Sequence, residues 1–306
     1  MPIQSRRAEV PEGRAEPAPV LAELRRALEA RLDRHVTTPS GTPPHLAEAL
    51  RHALIAPSKR IRPVLLHLIA TGDAPDPVAL DAGVAVEMVH TASLILDDLP
   101  SMDDAALRRS RPTTHVLFGE ATAILAAIAL MNRAFGILAD LPLPPGRRTR
   151  LARILSDAIG WNGLVAGQEM DIRGLKSASA AEAERLNWLK TGVLFVAAAE
   201  MGAVLRPLPA RRTAAIRDFA AELGHAFQTA DDLLDLTTAP EAIGKDVGKD
   251  ADKTNIVSIL GAETARSRCR EHLAKADAAL VKSGIEPGLI RALMARYFSS
   301  IATGAR

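Results

Sequence analysis

The chain has 306 residues, 48% of them hydrophobic, and its 38 Lys and Arg against 36 Asp and Glu leave a formal charge of +2. One cysteine, Cys269, excludes a disulfide scaffold and suits a reducing compartment, while Gly and Pro scattered without a period exclude collagen-like and low-complexity classes. Near-neutral charge and 3% aromatic content offer no basic field or stacking platform for nucleic acid, and the best apolar run, 121–131, is broken by Asn132 and Arg133 short of the roughly 18 residues of a membrane span.

Residues 1–19 mix Arg, Glu and Pro with no apolar core, so a mobile tail is expected there, with neither secretory signal nor transit peptide, and a cytoplasmic location. From residue 20 onward Leu21, Leu24, Leu28 and Leu32 draw one stripe at helical spacing. The same periodicity predicts helices over 45–55, 60–71, 77–98, 119–140, 147–167, 181–204, 209–236, 255–283 and 287–301, with breaks at Pro and Gly clusters. No strand is predicted. The expectation is an all-α chain: one domain over 20–306, a large bundle of about ten helices, several apolar around most of their girth.

Two acidic clusters stand out. LILDDLPSMDDAALRRSRP places Asp97, Asp98, Asp103 and Asp104 at the end of an apolar helix, followed by Arg108, Arg109 and Arg111. Four carboxylates this close repel one another unless cations intervene, and oxygen ligands without His or Cys suit Mg²⁺ rather than zinc. Pro100 cannot continue a regular helix, so a break is expected that turns Asp103 back toward Asp97. In FQTADDLLD, Asp231 and Asp235 are four apart on one face, and that face continues the apolar row of Leu223 and Phe227. A carboxylate facing the interior needs a compensating ion. Cations accompany both clusters: Lys59, Arg60 and Arg62 in SKRIRP, His90 two turns before Asp97, Lys190 in KTG, and Lys245 and Lys249 in GKDVGK. Carboxylates holding metals, metals holding phosphates, and Arg and Lys holding the remaining oxygens would make a site for two polyanions. GKDVGK is one residue short of a Walker A loop, with Asp250 where Ser or Thr should follow.

These motifs resemble the trans-isoprenyl diphosphate synthases, short-chain branch, over roughly residues 45–260. DDLPSMDDAALRRSRP is similar to the family's first aspartate-rich motif in its bacterial form, DDLLD to the second, and SKRIRP, KTG, GQEMD and FQTADD to four further family segments. The resemblance implies the isoprenoid synthase fold, helices around a central apolar cavity. It implies Mg²⁺ at Asp97, Asp103, Asp231 and Asp235, three ions by the family's pattern, with Asp98 beside them in the catalytic cluster. It implies an allylic diphosphate site from Arg108, Lys190 and Lys245 with Thr191 and Gln228, and an isopentenyl diphosphate site from Lys59, Arg62, His90 and Arg109. Ala92, five residues before Asp97, takes the position implied to set product length; a small residue there, with the two-residue insertion, resembles bacterial geranylgeranyl diphosphate synthases of carotenoid pathways. The implied partners are isopentenyl diphosphate, an allylic diphosphate (farnesyl, geranyl or dimethylallyl) and a second copy in a homodimer, with no nucleic acid and no membrane span. A farnesyl diphosphate synthase and a non-catalytic partner subunit stay open as alternatives. Two departures stand out: Pro57 and Ser58 replace a glycine pair, and Asp252 replaces a glycine.

Overall fold

Leu21, Leu24, Leu28 and Leu32 are all buried, so the stripe read from the sequence is the docking face of α1 (Pro17–Val36). In this computed structural model, which describes residues 17–37, 40–174, 180–237 and 256–302, α1 opens at Pro17, inside the stretch expected to be tail. Pro17 and Pro19 fall in its first turn, where a missing N–H leaves no intrahelical bond unmade. Helices α2 (Pro44–Leu54), α3 (Ile61–Ala70) and α4 (Pro77–Asp97) follow, and Asp76 caps α4 by accepting from the amide of Ala79 at 2.8 Å.

Between α4 and the next long helix lies a feature the sequence reading did not anticipate. β1 (Leu107–Arg108) and β2 (Arg111–Pro112) pair antiparallel, and a short α5 (Thr114–Phe118) leads to α6 (Glu120–Asp140). Three of the long helical patterns are divided. The 147–167 pattern is α7 (Pro145–Ile159) and α8 (Leu164–Arg173), parted by the turn at Gly160–Gly163. The 181–204 pattern is α9 (Ala180–Asn187), a π turn at Trp188–Gly192 and α10 (Val193–Leu205). After α11 (Ala210–Thr237), the 255–283 pattern is α12 (Ile256–Leu260) and α13 (Ala262–Ser283), parted by Gly261 at φ +80°; α14 (Gly288–Ala302) ends the described chain.

The core is built on α3, α4 and α10, the helices apolar around most of their girth. α4 packs against α6 and α3, α10 against α3, α11 and α7, and α11 runs along α13. Pro77–Asp97, Glu120–Asp140 and Ala181–Leu205 are long and apolar enough to cross a membrane by length and composition, which a search for unbroken apolar runs overlooks. The first is 72% buried and the third 56% buried inside the protein, but α6 only 39%. Its outer face shows Ile124, Leu125 and Ile128 at 40–55% exposure, beside Val116 and Leu117 of α5.

Candidate active site

α4 stops at Asp97 because Pro100 brings a ring and no N–H where the next turn would form. The chain then doubles back as expected from the sequence. The amide of Asp103 donates to the carbonyl of Asp97 at 2.9 Å, that of Asp104 to Leu99 at 3.0 Å and that of Ala105 to Asp98 at 3.1 Å. Asp98 is buried, at 4% exposure, and its Oδ1 accepts from Arg108 Nε at 2.7 Å and Nη2 at 2.6 Å. Asp97 and Asp103 are half-buried. Burial pushes the Asp97 carboxyl up to about 6; Lys190 and Arg108 draw it back down, while Asp103 and Asp98 add to the rise. Arg109 and Ser110 form the loop of the β1–β2 hairpin with φ of 54° and 59°. Left-handed backbone at both central residues is the type I′ pattern, normally filled by Asn and Gly, and a non-glycine residue there costs on the order of 1–3 kcal/mol. The strained turn brings Arg109 Nη1 to the carbonyl of Pro57 at 3.1 Å.

A second group of cations lies at the start of α3. Arg60, also left-handed at φ 50°, is buried. Its guanidinium pairs with Glu87 at 2.6 Å and Glu29 at 2.9 Å and donates to the carbonyls of Leu54 and Ala56. Ser58, which replaces a family glycine, donates from Oγ to Glu87 at 2.9 Å and accepts from the Arg60 amide at 3.2 Å. That departure is therefore used: the hydroxyl completes the Arg60 brace. Arg62 stands 4.4 Å over the ring of Phe195 and 3.5 Å from His90 Nε2. Burial lowers the Arg62 guanidinium to about 10, with Glu87 and Asp231 opposing, so it stays charged at neutral pH. His90, read from the sequence among the cations, is held well below its usual value by burial first and then by Arg62, Arg109, Arg108 and Arg60. It is a neutral imidazole at neutral pH. Lys59 Nζ sits 4.1 Å over Tyr297 and 5.8 Å from Phe227.

The third wall is the π turn Trp188–Gly192. One residue more than an α-turn holds is inserted here, a device frequent at functional sites. Close backbone contacts fix it. A Cβ on Gly167 of α8 would come within 2.8 Å of the Lys190 amide nitrogen, and one on Gly224 of α11 within 2.8 Å of the Gly192 Cα. Lys190 Nζ pairs with Asp171 Oδ2 at 2.6 Å. Thr191 Oγ1 donates to Gln228 at 2.7 Å, Gln228 Nε2 to Asp232 Oδ1 at 2.8 Å, and Asn187 Nδ2 to Asp232 Oδ2 at 3.4 Å. Trp188 stacks on His225 at 5.0 Å, and His225 on His272 at 5.2 Å. The other tryptophan, Trp161, is 87% exposed.

The structure thus brings together Asp97, Asp98, Asp103, Arg108 and Lys190 around one acid, and Arg62, His90, Arg109 and Asp231 around one cation. Ala92 is fully buried in α4. At 100° per residue it lies about 140° around the helix from Asp97, whereas half-buried Ser93 lies about 40° away. Lys245, Lys249 and Asp252, and the side chain of Asp235, fall outside the described residues. Residues the sequence reading passed over are Asp171, which ends GQEMD and holds Lys190, Asp232, which anchors Gln228, and Tyr297. Among the described residues no three carboxylate, imidazole or thiol side chains gather closely enough to hold an ion alone. Mg²⁺ does not require that, since it keeps waters and takes one or two carboxylates plus substrate phosphates. A half-buried carboxyl raised to about 6 with a second acid beside it is a donor that a hard cation would stabilise.

The polyprenyl synthetase family model matches residues 43–284. The geranylgeranyl diphosphate synthase of Pseudescherichia vulneris is 43% identical over 255 residues, 82% of each chain. The farnesyl diphosphate synthase of Geobacillus stearothermophilus is 39% identical over 87% of this chain and 92% of its own. Among solved structures, a geranyltransferase from Helicobacter pylori complexed with magnesium and isoprenyl diphosphate superposes with a TM-score of 0.81 at 26% identity, covering 96% of this chain and 100% of that one. With two acid clusters, their cations and the helical bundle in place, this chain belongs to the polyprenyl synthetase family.

Proposed function

We propose that the chain is a Mg²⁺-dependent short-chain trans-prenyltransferase that joins isopentenyl diphosphate to an allylic diphosphate (dimethylallyl, geranyl or farnesyl) and yields geranylgeranyl diphosphate and diphosphate. One observation carries this reading. Lys190 and Arg108 act on the raised acid of α4, Asp231 acts on the buried Arg62, and Arg62 and Arg108 both act on His90, so both acidic clusters and both groups of cations share one space.

Asp97, Asp103, Asp231 and Asp235 would hold Mg²⁺, which when bound supplies positive charge to the diphosphate oxygens. Arg108, fixed by Asp98, and Lys190, fixed by Asp171, are placed to neutralise charge as the allylic C–O bond breaks and its electron pair leaves with diphosphate. Lys245 would join them, with Thr191 and Gln228 at the edge. Lys59, Arg62 and Arg109 would bind isopentenyl diphosphate, with neutral His90 as a hydrogen-bond partner. The double bond then attacks the allylic carbon and the adduct loses one proton to the released diphosphate. Holding both reactants makes the encounter unimolecular, and the apolar walls keep water from the cation.

The small residues Ala92 and Ser93 support a twenty-carbon product, as do relatives named geranylgeranyl diphosphate synthase. Such a product is a carotenoid precursor. We read the protein as cytoplasmic and as a homodimer joined through α6, whose apolar outer face calls for a cover. The deciding experiment supplies labelled isopentenyl diphosphate, Mg²⁺ and each allylic starter, then separates the dephosphorylated products. A C20 alcohol from farnesyl diphosphate, lost with chelator and in Asp97→Ala and Asp231→Ala, is expected. No incorporation with any starter would overturn the reading; a stop at C15 would favour the farnesyl synthase alternative.

A further inference from the structure

The chain has one Tyr, two Trp and six Phe in 306 residues, and four of these nine rings are gathered in one place. Phe227 of α11 lies 5.0 Å from both Phe195 of α10 and Tyr297 of α14, with Phe298 6.1 Å from Tyr297. Two cations rest on this cluster: Arg62 over Phe195 at 4.4 Å, and Lys59 over Tyr297 at 4.1 Å. Both are cations that the proposed function gives to isopentenyl diphosphate. The face of a ring attracts a cation through its quadrupole and leaves its net charge available.

We propose that Tyr297 is a positioning residue for isopentenyl diphosphate: its ring, carried by α14, packs against the Lys59 ammonium group and fixes its reach toward the substrate site. The hydroxyl is not what the site uses. Tyr297 Oη is buried and has no hydrogen-bond partner among the described residues, so the ring rather than the hydroxyl accounts for a tyrosine here. Tyr297 also lines a cleft of about 270 Å³ with Lys59, Arg25, Arg296 and Leu293, so the ammonium group, the ring and open space meet at one point. Helix α14 touches α1, α3 and α13, and through Tyr297 it reaches the loop before α3. α14 thereby sets the reach of a cation near residue 60.

This inference rests on the proposed function, so condensation by the wild-type enzyme is measured first; an inactive wild type counts against that reading. In an active enzyme, Tyr297→Leu should raise KM for isopentenyl diphosphate by about 3- to 30-fold, the range of a lost cation–π contact, with kcat and the allylic KM within about two-fold. Tyr297→Phe should restore the wild-type KM, because it keeps the ring and removes the orphaned hydroxyl. A Phe variant as impaired as Leu, or equal effects on the two substrates, would overturn the proposal. Should Tyr297→Leu fail to fold, the single tyrosine gives a second route. Feeding 3-fluorotyrosine labels this ring alone, and its one ¹⁹F resonance should shift on adding isopentenyl diphosphate and not on adding farnesyl diphosphate. No shift with isopentenyl diphosphate, in an enzyme that turns it over, would also overturn the proposal.

Discussion

Asp97 is at odds with its surroundings, and that makes it measurable. An unfolded aspartate titrates near 3.9, while burial and two neighbouring acids lift folded Asp97 to about 6. The native state therefore holds this proton more tightly than the unfolded chain does. Its contribution to stability is full below about pH 4 and is lost as pH rises through 6, by up to about 3 kcal/mol for one group. Metal-free protein should accordingly lose melting temperature between about pH 4.5 and 7, and Asp97→Asn should lose less. Adding Mg²⁺ with inorganic pyrophosphate should stabilise more at about pH 7 than at pH 5, since the carboxylate must be ionised to bind. An identical pH slope in Asp97→Asn would remove this account. His90 gives the complementary case. Because burial, and then four arginines, keep it neutral, His90→Gln should retain most activity, while His90→Ala should weaken isopentenyl diphosphate about ten-fold. A His90→Gln variant as poor as Ala would mean that the imidazole works as a cation after all.

At the scale of elements, the π turn and the last turns of α4 make separable predictions. Gly224→Ala puts a methyl 2.8 Å from Gly192 Cα, backbone against backbone, so α11 and the Lys190 turn must part. Activity should fall by more than about ten-fold while far-UV circular dichroism stays helical, at a stability cost of about 1–3 kcal/mol. Unchanged turnover would show that the turn tolerates displacement. On α4, Ser93→Phe enters the half-open stripe under Asp97, whereas Ala92→Phe must enter packed core about 140° away. Ser93→Phe should shorten the product from twenty to fifteen carbons without unfolding; Ala92→Phe should do so only with a loss of stability of about 1–3 kcal/mol. Equal product length in both, with wild-type stability, would show that neither ring meets the growing chain. What the sequence made legible follows from local chemistry. Pro100 announced the fold-back of Asp103, and leucine spacing announced α1. The π turn stayed hidden because an inserted residue leaves an already apolar pattern apolar. The roles of Arg60 and Tyr297 stayed hidden for another reason: Glu29 and Glu87 lie 31 and 27 residues from Arg60, and Lys59 meets Tyr297 across the whole chain.

For the whole molecule, the proposed assembly turns on α5 and α6. Ile124, Leu125 and Ile128 share a face at helical spacing and lie outside the core that α6 makes with α4. Leu125→Asp with Ile128→Asp should convert a dimer to a monomer in light scattering, with helix content kept because neither side chain is packed within the chain. A wild type that is already monomeric at micromolar concentration would withdraw the homodimer reading. The two tryptophans extend the reach of such measurements to the site itself. Trp161 is bathed in solvent, whereas Trp188 opens the turn that carries Lys190 and lies flat on His225. Replacing Trp161 by Phe leaves a single indole, and its emission becomes an optical gauge of the catalytic turn. Protonated imidazole is an efficient quencher of indole emission, and His225 is held below its usual value by burial and by His272. The gauge should therefore stay bright through neutral pH, dim only in mild acid, and change in intensity when an allylic diphosphate draws Lys190 away from Asp171. The enzyme carries its own reporter at the turn proposed to receive the leaving group.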